Sequence, residues 1–325
     1  MPPRPTVTVQ WVWRRLRESL ALEALTELPE QDIPLAAPDV HRPGMALMGF
    51  MDNFLPGRLQ VLGESEIAYI AGLDEDDQDD ALGRLERLSA PAVYVSRNQC
   101  VPAPFLRAAE RRQIPVFRTG LATEDFIRKL GDHLNEAFAP VDEVHASLVD
   151  VYGVGMLFTG KSGIGKSETA LDLVERGHRL VADDIVEVRR MGEDILVGRF
   201  RDVLQHSVEI RGVGVIDVQA VFGIRGIRMQ KRIEVEVNLQ RWRDDVDYER
   251  TGLDRRYSEL LGVRIPRIEV PIFPGKNITV IAEVIALDFM LKIYGIDAAQ
   301  DLNRRIMDTL RRGDELRGYL RQDRE

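Results

Sequence analysis

The residues of this chain with the clearest chemistry are Gly160, Lys161, Ser162, Gly163, Ile164, Gly165, Lys166 and Ser167. They fit the spacing G-x-x-x-x-G-K-[ST], which cradles phosphate. The glycines let successive backbone N–H groups turn toward one anion. Lys166 adds a point charge near the terminal phosphates, and the Ser167 hydroxyl can hold a Mg²⁺ ion. The bland alternative is a Gly-rich turn with an exposed lysine, and the flanks argue against it. Residues 154–159 are apolar and read as a buried strand, and residues 166–176 read as a helix with apolar Ala170, Leu171, Leu173 and Val174 and a Gly177 stop. Strand, loop and helix N-terminus aim their N–H groups and dipole at one point.

Phosphoryl transfer also needs metal ligands, a group that orients or deprotonates the acceptor, and positive charge. Asp183 and Asp184 close the predicted strand 179–182. One carboxylate can bind metal while the other faces an acceptor; the competing reading is an exposed turn or cap. Residues 208–217 hold Glu209, Arg211, Gly212, Gly214 and Asp217. Glu209 is a candidate Mg²⁺ ligand, although the segment taken alone favours an ordinary hairpin with a surface Glu/Arg pair. His145 precedes the phosphate-loop strand and is a candidate for contacting phosphate or tuning Asp184. Arg250 lies among Arg241, Arg243, Arg255 and Arg256, and composition does not choose between them as a transition-state cation. Pro271, Ile272, Phe273, Pro274, Gly275 and Lys276 read as a turn between strands with a lysine at its tip.

The length suits two units, and all of these groups fall in the second. Residues 1 to about 140 alternate strands (59–62, 92–95, 114–117) and helices (104–112, 123–138 with Thr123 as N-cap), an α/β pattern. The acidic stretch 74–80 reads as a solvated loop or helix start, lacking the spacing of a calcium loop. Residues 139–144 read as a linker. The unit 141–325 is strand-rich after the phosphate-loop helix, with strands at 179–182, 185–189, 195–198, 213–216 and 232–239. Residues 278–287 read as strand or helix, and 301–325 as a charged helical tail weakened at Gly313.

The chain has 325 residues, 44% hydrophobic and 30% charged, with a net charge of −9. That charge argues against nucleic acid as the main partner. The single cysteine, Cys100, excludes an internal disulfide and suits a reducing cytoplasm. No apolar run reaches membrane-span length, and residues 1–5 lack a signal-peptide layout, so a soluble cytoplasmic protein with no membrane partner is expected.

Together these segments resemble the bacterial HPr kinase/phosphorylase family. The resemblance runs through VHASLVDVYGVGMLFTGKSGIGKSETALDLVERGHRLVADD (144–184), VEIRGVGVIDVQAVFG (208–223), YERTG (248–252) and VPIFPGKN (270–277). RPGMALMGF (42–50), RLQVLGESE (58–66) and IPVFRT (114–119) extend it into the first unit. It implies a small N-terminal α/β domain, a C-terminal kinase domain whose nucleotide core is similar to PEP carboxykinases, and a homohexamer. It further implies an ATP- and Mg²⁺-dependent kinase for one serine of HPr, the phosphocarrier of the sugar phosphotransferase system. The reverse activity removes that phosphate by phosphorolysis, consuming inorganic phosphate and releasing pyrophosphate. Carried over, residues 160–167 bind nucleotide and Ser167 and Glu209 bind Mg²⁺. Asp184 accepts or donates the proton, and His145, Lys166 and Arg250 match other catalytic positions. Residues 208–217 serve both directions, and 271–276 serve dephosphorylation. There the chain departs: where the family commonly reads PVKxGRN, Phe273 replaces a lysine and Lys276 an arginine. Competing expectations are a P-loop ATPase or small-molecule kinase that does not act on HPr, and a nucleotide sensor without turnover.

Overall fold

The computed structural model describes residues 6–52, 54–201, 206–245, 248, 255–273 and 275–322. The chain divides into two compact units, 1–139 and 140–325.

In the first unit α1 (Val9–Leu16) is capped by Thr8, whose hydroxyl accepts from the Trp11 N–H at 3.0 Å. Then come β1 (Leu22–Ala24), β2 (Val40–His41), α2 (Gly44–Leu47), β3 (Leu59–Leu62), α3 (Glu64–Ala71), α4 (Glu75–Arg87), β4 (Val93–Val95), α5 (Ala103–Arg111), β5 (Val116–Thr119) and α6 (Thr123–Phe138). The sheet order is β1-β5-β4-β3-β2, with β2 to β5 parallel and β1 antiparallel at the edge. Strands β3 and β4 are wholly buried because helices cover both faces. The acidic stretch is the start of α4, with Asp74 accepting from the Asp77 N–H at 2.8 Å. Thr123 does not cap α6. Ala122 occupies that position, and the Thr123 hydroxyl instead meets Ser96 Oγ at 2.7 Å.

The second unit starts earlier than a linker at 139–144 allows. Its β6 (Val141–His145) pairs with β10 (Ile185–Met191) in the register His145 to Ile185, at the edge of a four-stranded sheet. Next are β7 (Ser147–Val151), β8 (Val154–Gly160), α7 (Lys166–Glu175) and β9 (Arg179–Ala182), followed by β10. After these come β11 (Ile195–Phe200), β12 (Ser207–Ile210), β13 (Gly214–Asp217), α8 (Val218–Phe222), β14 (Gln230–Arg232), β15 (Val235–Arg241), β16 (Arg256–Leu260), β17 (Val263–Ile272), α9 (Ile278–Ile293) and α10 (Ala298–Gln322).

A six-stranded sheet, β16-β17-β15-β8-β7-β9, carries parallel β8, β15 and β17 at its centre. Helices α7 and α9 bury Ala170, Leu173, Ala282 and Ala286 against one face. The other face packs Leu148, Leu157 and Val181 on Val186, Val188 and Leu196 of the sheet β14-β11-β10-β6. Apolar layers on both sides explain why β7 is buried throughout and β8 over its first five residues. Residues 278–287 are helix: Asn277 accepts from the Val280 N–H at 3.1 Å and starts α9. The helical backbone of α10 continues through Gly313.

Candidate active site

The phosphate loop leaves the C-terminal end of β8 and enters α7 through Gly165, which is left-handed at φ +105°. Two further glycines are obligatory here. Gly160 has φ +140°, and a Cβ would lie 2.5 Å from the Leu239 carbonyl of β15. Gly163 has φ +73°, a backbone conformation that strains an L side chain, and the Arg211 guanidinium lies over it. Lys166, Ser167 and Glu168 form the first turn of α7, so their N–H groups have no carbonyl one turn back. The Lys166 ammonium donates to the Gly160 carbonyl at 3.3 Å, folded across the loop.

Strands β12 and β13 form a hairpin in the register Glu209 to Val215. Its turn carries Arg211 onto the loop, 3.5 Å from Ser162 Oγ. The surface-hairpin geometry is present, yet it delivers a guanidinium to the phosphate cradle. Glu209 is exposed on β12, two residues before Arg211.

Asp183 and Asp184 end β9 in different environments. Asp183 is buried and accepts from the Ser147 hydroxyl of β7. Burial pushes its pKa up, opposed by hydrogen bonds from Ser147 and Ser167. Its other oxygen, Oδ2, is buried without a hydrogen-bond partner. A buried, unpartnered carboxylate oxygen beside Ser167 has the hardness and charge that suit a hard cation. Among the described residues no three His, Cys, Asp or Glu side chains cluster as a self-sufficient metal cage. Mg²⁺ needs none, because it usually takes one or two protein oxygens beside phosphate and water.

Asp184 is two-thirds exposed and has φ +63°, a left-handed conformation uncommon outside glycine and one that aspartate tolerates better than most side chains. The Ile185 N–H bonds the Asp183 carbonyl at 2.8 Å across it, and the Ala146 N–H holds its own carbonyl at 3.2 Å. This tight turn rotates the side chain outward, where Oδ1 lies 4.0 Å from Nδ1 of His145. The structure therefore gathers Lys166, Ser167, Asp183, Asp184, His145 and Arg211 at one end of the sheet.

The segment 271–276 joins β17 to α9, a strand-to-helix loop rather than a turn between strands. Lys276 is not displayed at its tip. It donates to the Pro271 carbonyl at 2.8 Å and lies 5.3 Å from the Phe273 ring centroid, and burial lowers its pKa. Phe273 meets Trp242 edge-on, with centroids 5.6 Å apart. A cleft of about 730 Å³ separates this loop from α7 and is lined by Ile164, Gly165, Glu168, Asp172, Lys276 and Thr279. Its α7 wall carries Glu168, Asp172 and Glu175, with Arg176 and Lys276 as the cations that face them.

Arg250 and Pro274 lie outside the described residues. Of the other arginine candidates, Arg243 pairs with Asp245, Arg255 with Asp297 and Arg256 with Glu269. Ser147 and Trp242 escaped the sequence reading. A lone serine in a buried strand carries no signal, whereas a tryptophan within a highly charged stretch does.

Residues 7–134 match the family described as HPr Serine kinase N terminus, and residues 136–306 match HPr Serine kinase C-terminal domain. The HPr kinase/phosphorylase of Chloroherpeton thalassium is 43% identical over 309 residues, covering 94% of this chain and 91% of its own length. That of Halalkalibacterium halodurans is 42% identical, covering 92% and 97%. A solved structure of the Hpr(Ser) kinase/phosphatase from Coxiella burnetii aligns with a TM-score of 0.45 at 30% identity, over 50% of this chain and 98% of that one. The chain belongs to the HPr kinase/phosphorylase family.

Proposed function

We propose that this protein is an ATP-dependent kinase that phosphorylates a serine of HPr and removes that phosphate by phosphorolysis. The observation that carries the reading is the separation of Asp183 from Asp184. One carboxylate is buried against the Ser147 hydroxyl and beside Ser167, and the next is turned out toward His145. The phosphate loop binds the β- and γ-phosphates through backbone N–H groups, Lys166 and Arg211. Ser167 and Asp183, with Glu209 on the adjoining hairpin, would hold Mg²⁺, which when bound neutralises charge on the phosphoryl oxygens.

Asp184 accepts the proton of the incoming serine hydroxyl as that oxygen bonds to phosphorus and the bond to ADP breaks. A carboxylate is a weak base, but in a loose transition state the hydroxyl proton leaves late. In reverse, inorganic phosphate attacks phosphoserine, pyrophosphate forms, and Asp184 returns the proton to the serine oxygen. His145 steadies the Asp184 carboxylate. Arg250 and the 271–276 loop are assigned to phosphate handling by family resemblance. The assembly is proposed to be a homohexamer.

The test is a phosphotransfer assay with purified HPr, forward with ATP and Mg²⁺ and backward with inorganic phosphate. Asp184→Asn is expected to lower both directions by about 10²–10⁴-fold while nucleotide binding persists. Retention of most transfer would remove Asp184 as the base. ATP turnover with no transfer to HPr would favour an ATPase or a kinase with another acceptor.

A further inference from the structure

The cleft of about 730 Å³ is contiguous with the phosphate loop, because Ile164 and Gly165 line it. Its volume falls within the roughly 300–1,000 Å³ of small-molecule sites. From the loop, α7 forms one wall from Glu168 to Arg176, about 12 Å of helix at 1.5 Å per residue. Ile272 of β17 and residues 275–279, leading into α9, form the other.

The walls differ in chemistry. Ile164, Ile272 and Ile278 pack on the core beneath and are each only half-buried, so they leave apolar surface to the cleft. Glu168, Asp172 and Glu175 recur at spacings of four and three, which puts them on one face of α7. The two cations that face them are engaged. Arg176 donates to Glu283 at 2.8 Å, and Lys276 donates to the Pro271 carbonyl at 2.8 Å. Glu168 directly follows Ser167, is exposed, and makes no hydrogen bond or ion pair among the described residues. A triphosphate held on the loop amides has to place its uncharged end somewhere contiguous. An apolar patch beside an open carboxylate acceptor suits a flat ring joined to hydroxyl donors.

We propose that this cleft seats the nucleoside of the phosphate donor, with the base against Ile164, Ile272 and Ile278 and a ribose hydroxyl donating to Glu168. The inference rests on the kinase reading and adds to it that the two directions need the cleft unequally. Transfer from ATP brings a nucleoside to the site. Phosphorolysis consumes inorganic phosphate and releases pyrophosphate, and neither carries one. The cleft therefore serves the forward direction alone, although it borders the 271–276 loop.

Isothermal titration of the full chain with MgATP, magnesium tripolyphosphate and 2′,3′-dideoxy-ATP tests it, together with the two-way HPr assay. Ile278→Asp places a charge where the base would pack. Residue 278 opens α9, where a negative charge favours the helix, and a melting curve checks that the variant folds. The wild type is expected to bind ATP about tenfold or more tightly than tripolyphosphate. Ile278→Asp is expected to bring ATP down to the tripolyphosphate level and to raise the KM for ATP, while phosphorolysis changes less than twofold. Glu168→Ala, on the surface of α7, is expected to weaken ATP about tenfold and to leave dideoxy-ATP unchanged. Equal wild-type affinity for ATP and tripolyphosphate would overturn the proposal and leave the kinase reading standing. So would a loss of ATP and dideoxy-ATP alike in Glu168→Ala, or an equal loss of both reaction directions in Ile278→Asp. Failure of the wild type to bind either polyphosphate would overturn the kinase reading and the cleft with it.

Discussion

At the scale of single residues, two adjacent aspartates become different reagents. Nothing in the Asp-Asp pair says which carboxylate is buried. Strand alternation allows either phase, and Ser147, thirty-six positions away, selects it by donating to Asp183. Removing that hydroxyl leaves a buried carboxylate short of a donor. Ser147→Ala is therefore expected to lower stability by about 1–3 kcal/mol, read from urea unfolding. The left-handed turn at Asp184 was not legible either, since aspartate permits φ +63° without requiring it. Asp184→Gly relieves that backbone cost but deletes the proposed base. It is expected to match Asp184→Asn in lost transfer while melting no earlier, and an early melt in a thermal scan would deny that the turn is strained.

At the scale of elements, the phosphate loop was fully legible because strand, glycines and helix are contiguous. The partners that reach it from elsewhere were not. The β12–β13 hairpin matches an ordinary surface hairpin in its own residues, and only its seating brings Arg211 to Ser162. Arg211→Ala is expected to weaken nucleotide binding by about tenfold, the worth of one charge-assisted contact, with little change in melting because the side chain is exposed. The loop 271–276 holds its lysine back: Lys276 bonds Pro271 and sits on Phe273, which leans on Trp242. Phe273→Lys replaces the ring with a repelling charge and frees Lys276 toward the cleft. It is expected to raise phosphorolysis more than the kinase reaction, and equal changes in the two assays would show that the loop has no directional role.

At the scale of the whole molecule, each unit is latched by a carboxylate held well below its usual range. In the first unit Arg112 and Arg111 bring Asp79 to about 2, joining α4 to α5. In the second, Arg176 and then His178 bring Glu283 to about 2, joining the end of α7 to α9. A carboxylate whose folded pKa lies below its unfolded value adds stability in full above the unfolded value. That stability is lost as pH falls through the folded value. With unfolded values of 3.8 and 4.5, both units are expected to weaken between about pH 4.5 and 2. Glu283→Gln is expected to flatten the acid limb of the second unit's unfolding, and an unchanged limb in a pH series of thermal melts would refute the latch.

The amino-acid sequence by itself determined what is written locally: the α/β alternation of both units, with strands such as 59–62 and 179–182, and the contiguous strand, glycine loop and helix of residues 154–175. Each rests on residues within one or two turns of one another, where periodicity and backbone preference act directly. The tertiary structure alone decided which aspartate is buried, that residues 141–145 join a sheet, that Arg211 meets the phosphate loop and that Lys276 folds back. Those outcomes depend on strands and loops dozens of positions apart in the chain, packed against one another by burial that no local pattern encodes.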